Sequence, residues 1–90
     1  MYEQIATRLN LTPEELEQES LRLFLTHRLR LVESELLRLG RKYGVQTVAQ
    51  LDELVQGGHL HEDETFEDYL EFDHLTSERD LLLESLKELR

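Results

Sequence analysis

Residues 12–44 read TPEELEQESLRLFLTHRLRLVESELLRLGRKYG, the longest regular segment of the chain. Thr12 followed by Glu15 is the pattern of a capping box, in which the threonine hydroxyl accepts from the backbone N–H of Glu15 and the glutamate reaches back to the backbone of Thr12. Pro13 suits the first helical position because its missing N–H would have no partner there. We therefore expect a long helix to begin at Pro13.

An apolar seam runs along this helix. Its members alternate spacings of four and three, which keeps them on one helix face. They are Leu25, Leu29, Val32, Leu36, Leu39 and Tyr43. The seam predicts that the helix reaches Tyr43 and that Gly44 ends it in a left-handed conformation, with Gly40 as an alternative, earlier end. Because one short neighbouring helix cannot cover a seam of this length, we expect these six residues to form a homodimer interface.

Shorter elements flank the long helix. Residues 2–9 have a one-sided apolar pattern that predicts a short helix folding back on its neighbour. Thr47 opens a second capping box and a short helix that ends at Gly57, and Thr65 is placed to cap a last helix over residues 66–89. The sequence thus predicts an all-α fold, with a short helix, a long helix, a short connector helix and a C-terminal helix, assembled as a helical homodimer.

Charge divides the chain. Residues 1–50 carry seven acids and seven bases, whereas residues 51–90 carry thirteen acids and three bases, a net charge of −10. We expect residues 1–58 to form the core and dimerisation region and residues 59–90 to form an acidic region that binds a basic protein. The same charge disfavours nucleic-acid binding by the isolated protein. The arginine-rich stretch 22–42 could contact a nucleic-acid backbone, but a solvated helix face explains it as well.

Several classes of protein are disfavoured. No run of even eight apolar residues occurs and the first residues lack a basic leader, so we expect a cytoplasmic protein without membrane insertion. Cysteine is absent, and neither a nucleophile triad nor a phosphate-binding glycine loop has the required spacing, so we expect no enzyme and no cofactor. The pairs Glu71-x-x-His74 and His59-x-His61 resemble partial metal motifs, but no metal site is predicted, since each lacks further ligands.

Aromatic residues and acids alternate at the start of the last helix. Aromatic side chains supply buried area to an interface, and carboxylates attract a basic partner. The set predicted to bind a partner is Glu62, Asp63, Glu64, Phe66, Tyr69, Phe72 and Asp73. Because one narrow seam cannot hold every apolar side chain, closure of the core is favoured for Phe66 and Leu70, and the interface is favoured for Tyr69 and Phe72.

Residues 10–16 and 19–25, NLTPEEL and ESLRLFL, resemble the turn and second helix of ribbon-helix-helix proteins. That family reads DNA with a basic β-ribbon before its first helix, and only Met1 precedes Tyr2 here, so we do not expect DNA reading of that kind.

The layout as a whole, a dimerising helical half and an acidic, aromatic-bearing half, resembles the small acidic antitoxin subunits of prokaryotic toxin-antitoxin modules. The resemblance implies that the acidic half covers a basic toxin, with Phe66, Tyr69, Phe72 and the neighbouring acids facing it. Two alternatives stay open: a homo-oligomeric scaffold or adaptor, and a DNA-binding regulator that uses the arginines of the long helix.

Overall fold

The computed structural model describes residues 1–58 and 62–89, and the side chains of all of these but residues 62–64. The described residues form four helices: α1 (Tyr2–Arg8), α2 (Pro13–Tyr43), α3 (Val48–Gln56) and α4 (Glu62–Glu88). No strand occurs in this part of the chain. The predicted all-α class and the predicted order of the four helices are therefore confirmed.

Both ends of α2 follow from the sequence. The backbone N–H of Glu15 donates to the Thr12 hydroxyl at 3.0 Å, and the Thr12 N–H donates to the Glu15 carboxylate at 3.4 Å, which completes the capping box. Gly44 ends the helix with φ at +67°, a left-handed conformation that costs glycine little. The predicted helix over residues 13–43 is confirmed, and Gly40 lies inside it.

Gly40 is required for a different reason. A Cβ atom at this position would lie 2.6 Å from the backbone oxygen of Val45. The N–H of Val45 donates to the carbonyl oxygen of Gly40 at 2.9 Å, so the chain leaving α2 folds back closely over this residue. The absence of a side chain at Gly40 lets Val45 enter the core.

α2 and α4 form a long antiparallel hairpin. Arg22, near the start of α2, donates to the carbonyl oxygen of Leu89 at 2.8 Å, and Lys42, near its end, lies 2.6 Å from the carboxylate of Asp68. The hairpin makes the molecule 60 Å long, against 19 Å and 16 Å in the other two directions. Its core consists of Val32, Leu36, Leu39, Val45, Leu51, Phe72, Leu75 and Leu82.

The two short helices pack at opposite ends of the hairpin. α1 contacts the first part of α2 and buries Ala6 completely. α3 begins with the predicted capping box, in which the N–H of Gln50 donates to the Thr47 hydroxyl at 3.1 Å, and it contacts α4 with Leu51 fully buried. The predicted fold-back of the N-terminal helix and the predicted connector helix are both confirmed.

The start of α4 differs from the prediction. The helix begins at Glu62, so Thr65 is not its N-cap but a buried residue in its first turn. Acidic residues suit the first turn because the helix dipole is positive there, and the sequence places three of them at positions 62–64. The sequence also predicts a loop over the polar, glycine-led stretch 57–64; residues 62–64 of that stretch belong to the helix, and residues 59–61 lie outside the described residues.

The core crosses the predicted division of the chain at residue 58. Leu39 and Leu51, which precede the division, share one apolar cluster with Phe72 and Leu75, which follow it. The described part of the chain therefore packs around one core. None of the described helices combines the length and the apolar content that crossing a lipid bilayer requires.

Candidate partner-binding surface

α4 presents different residues to the core and to solvent. Phe72 is only 2% exposed and lies in the core with Leu75, three residues further on. Phe66 is 58% exposed and Leu70 is 51% exposed, and their spacing of four places them side by side on the outward face. Tyr69 is half-buried and packs against the core.

The expected burial of these residues was wrong for three of the four. Phe72 closes the core and Phe66 and Leu70 are exposed, because Phe72, Leu75 and Leu82 share the helix face that meets α2. The spacings of three and seven among these residues carried the signal, since they place Phe72 in phase with the leucines. Of the predicted aromatic anchors, Phe66 is the one available to a partner, and Leu70, which was not among the predicted site residues, stands beside it.

Two acids of α4 hold the helix to α2. The Asp68 carboxylate accepts from the Lys42 ammonium at 2.6 Å and from the Tyr43 hydroxyl. The Glu78 carboxylate accepts two hydrogen bonds from the Arg28 guanidinium, at 2.6 Å and 2.9 Å. Such bidentate pairs fix geometry as well as charge. These acids are therefore part of the hairpin rather than of a free acidic surface.

The contacts shift the pKa values of the groups involved. The hydrogen bond from Lys42, with that from Tyr43, lowers the pKa of Asp68, and the hydrogen bond from Arg28 lowers the pKa of Glu78. The hydrogen bond to Asp68 raises the pKa of Lys42. Burial, followed by the contact with Asp68, raises the pKa of Tyr43. The shifts of Asp68, Glu78 and Lys42 favour their charged forms, as opposite charges in contact require, whereas the shift of Tyr43 favours its neutral hydroxyl.

Other acids of α4 remain available to a partner. Glu67 and Asp73 are exposed and form no hydrogen bond or ion pair with any described side chain. Glu71 is also exposed, 3.7 Å from Arg38. We name the set of Phe66, Glu67, Leu70 and Asp73 the outer α4 surface: two apolar side chains flanked by two unpaired acids. The predicted Glu62, Asp63 and Glu64 have their side chains outside the described part.

The predicted dimerisation seam lies within the single chain. Val32, Leu36 and Leu39 are buried in the core, while Leu25, Leu29 and Tyr43 are partly buried and pack against it. α4 occupies the place that a second copy was expected to take, because a 27-residue helix covers a seam that the short helices could not. The homodimer itself stays a prediction, but these six side chains are engaged by their own chain.

The bases of α2 are largely engaged too. Arg22, Arg28, Arg38 and Lys42 each contact a carbonyl oxygen or a carboxylate of this chain. The hydrogen bond to Glu35 also raises the pKa of Arg38. These contacts reduce the positive potential that α2 could offer to a phosphate backbone.

Metal ligands are not gathered in the described part of the chain. No group of three or more His, Asp or Glu side chains is arranged there to hold a metal ion. Glu71 and His74 are both exposed on α4. The pair His59 and His61 lies outside the described residues.

Comparison with known proteins places the chain in a family. No curated protein and no solved structure matches it. The model of the uncharacterized protein MJ0235 family, however, matches residues 1–90, the whole of the sequence. The chain therefore belongs to the MJ0235 family.

Proposed function

We propose that the chain is a non-catalytic protein-binding module that neutralises a basic protein partner by covering it with the outer α4 surface. The single observation that supports this most is the exposure of Phe66 and Leu70 beside the unpaired acids Glu67 and Asp73. Apolar anchors surrounded by charges are typical of interfaces in which the charges guide association and the anchors slow dissociation.

The distribution of charge supports a basic partner. The second half of the chain has a net charge of −10, and four of the six cations of α2 are bound to acids or carbonyl groups already. A basic surface approaching α4 therefore meets acids that lack a counter-ion in the fold. An acidic or neutral partner gains nothing from this arrangement.

The most specific form of the proposal is an antitoxin. The chain has the acidic, helical layout of small antitoxin subunits, and its partner would be a basic toxin encoded by an adjacent reading frame. Binding would place the outer α4 surface over the toxin's functional site. Neutralisation by occlusion demands no catalytic group in the antitoxin, only area and complementary charge.

The experiment is a co-expression and binding series with the basic product of the adjacent reading frame. We expect the chain to relieve growth arrest caused by that product and to bind it directly. Phe66→Ala with Leu70→Ala should weaken binding about 30-fold, equivalent to about 2 kcal/mol, mainly through faster dissociation. Glu67→Gln with Asp73→Asn should instead slow association and reduce its dependence on salt.

A matched control is Leu37→Ala, since Leu37 is an exposed apolar residue of α2 on the other helix of the hairpin. It should leave the binding kinetics unchanged. The proposal is contradicted if the product binds with unchanged affinity to both α4 variants, while circular dichroism shows that each retains its helices.

A further inference from the structure

Four exposed apolar side chains surround the ion pair at the middle of the hairpin. Phe24 and Leu31 lie four residues before and three after Arg28, and Leu81 lies three residues after Glu78, so each shares a helix face with a member of the pair. Leu21 lies one turn before Phe24. We name the set of Leu21, Phe24, Leu31 and Leu81 the flank cluster.

The flank cluster is unusually exposed for its size. Phe24 is 65% exposed and Leu81 is 68% exposed, while Leu21 and Leu31 are each more than 40% exposed. Single exposed leucines need no explanation, but several large apolar side chains gathered around one ion pair on two packed helices are typical of an interaction surface. Each of the four keeps at least 42% of its surface exposed within the described chain.

The charges of this flank distinguish it from the outer α4 surface. Here Arg28 and Glu78 neutralise each other through two hydrogen bonds, so the cluster is centred on a balanced pair in a chain of net charge −10. A basic protein is drawn to the unpaired acids of α4 rather than to this flank. A second copy of the chain, which elsewhere is repelled by like charge, meets a neutralised pair at the centre of this cluster.

We infer that the flank cluster is the interface between two copies of this chain, related by a two-fold axis, so that two α2–α4 hairpins form a four-helix bundle. In a two-fold interface each patch contacts its own copy, so the Arg28 of one chain can approach the Glu78 of the other as the leucines and phenylalanines pack. The bundle arrangement gives each helix of the hairpin a second neighbour.

One flank of the hairpin is large enough for an interface of standard size. The molecule is 60 Å long and 19 Å wide, so one flank can supply the roughly 800 Å² that a standard interface buries on each partner. Phe24 would be the central anchor, because aromatic side chains dominate interface energetics.

This interface differs from the dimer that the seam predicts. The seam residues would have to leave their own α4 before they could meet a second chain, whereas the flank cluster is exposed with the hairpin intact. It shares no residue with the outer α4 surface proposed for the basic partner, and Leu81 lies three turns, roughly 16 Å, along α4 from Leu70. Failure of either proposal therefore leaves the other standing.

The test is the mass of the protein in solution, measured by sedimentation equilibrium at micromolar concentrations. We expect two chains for the natural sequence. Phe24→Asp with Leu31→Asp should give a single chain with unchanged helicity, because both positions are solvent-exposed within one chain. The matched control Leu37→Asp should remain a dimer, since Leu37 lies roughly 120° around α2 from Leu31.

A second measurement covers the case in which the double variant unfolds. The chain has no cysteine, so a single introduced thiol reports on one position. The thiol introduced by Leu31→Cys should react more slowly with a maleimide as protein concentration rises, whereas the thiol introduced by Leu37→Cys should not. A monomeric natural protein at all concentrations, or equal protection at positions 31 and 37, would overturn the inference.

Discussion

The two ends of the α2–α4 hairpin use similar residues for different purposes. At the end where α3 sits, Leu39, Leu51 and Phe72 are buried and the chain folds back closely over Gly40. Towards the end where α1 sits, between that end and the ion pair of Arg28 with Glu78, Leu23, Phe24 and Leu81 are exposed. The first end therefore holds the hairpin together on its inner side while it exposes Phe66 and Leu70 on the outer α4 surface, whereas the second leaves a phenylalanine of α2 itself exposed.

Matched phenylalanines give the largest expected difference between the ends. Phe72→Ala should reduce the free energy of unfolding by about 3 to 5 kcal/mol, because it removes a buried ring from the core. Phe24→Ala should change it by less than about 0.5 kcal/mol when the chain is dilute enough to be a monomer. Urea unfolding followed by circular dichroism measures the free energy of unfolding of both variants. Equal losses of free energy in the two variants would contradict the difference between the two ends of the hairpin.

The close approach at Gly40 gives the next largest effect. Gly40→Ala should destabilise the fold, since the clash with the Val45 oxygen costs about 1 to 3 kcal/mol and outweighs the gain in helix propensity of up to about 1 kcal/mol. Ser34→Ala, at an exposed position of α2, is the control and should stabilise slightly. Thermal unfolding of the two variants is the measurement, and similar midpoints would show that Val45 moves away without cost.

The ion pairs give the smallest and most condition-dependent effect. Because the contact with Lys42 lowers the pKa of Asp68, the ionised carboxylate stabilises the fold above its ordinary pKa of about 4. That stability is lost as the pH falls through the lower pKa of the folded state. Asp68→Asn should therefore lower the unfolding temperature at pH 7, and the difference from the natural protein should close in acid.

The control for this pH series is Asp73→Asn, which removes an equal charge from an exposed position with no ion-pair partner among the described residues. It should leave the fold unchanged or slightly stabilise it by reducing repulsion. If Asp68→Asn and Asp73→Asn follow the same pH curve, the contact with Lys42 contributes nothing to stability.

The ends of α2 and α3 were predictable because local chemistry sets them. Thr12 and Thr47 accept from backbone groups three residues away, and Gly44 adopts a conformation that other residues avoid. None of these contacts depends on distant parts of the chain. The boundaries of both helices therefore followed from short sequence patterns.

The burial of α4 residues was not predictable in the same way. The spacing that places Phe72 in phase with Leu75 and Leu82 competes with other apolar spacings of this helix, such as that of Phe66 and Leu70, so it does not by itself single out the face that meets α2. The buried face is set by packing in the shared core, which takes in Phe72 and leaves Phe66 exposed. For the same reason, the seam of α2 showed that a partner helix was needed but not that α4 would supply it.

The elongated shape of the hairpin affects how the molecule moves in solution. Its radius of gyration is 18.8 Å, compared with about 12 Å for a compact chain of this length. Friction grows with length, so a single chain diffuses slowly and leaves a gel-filtration column ahead of globular proteins of equal mass. It also tumbles unevenly, because rotation about its long axis is faster than rotation end over end. The relaxation of backbone amides in α2 and α4 will show this difference.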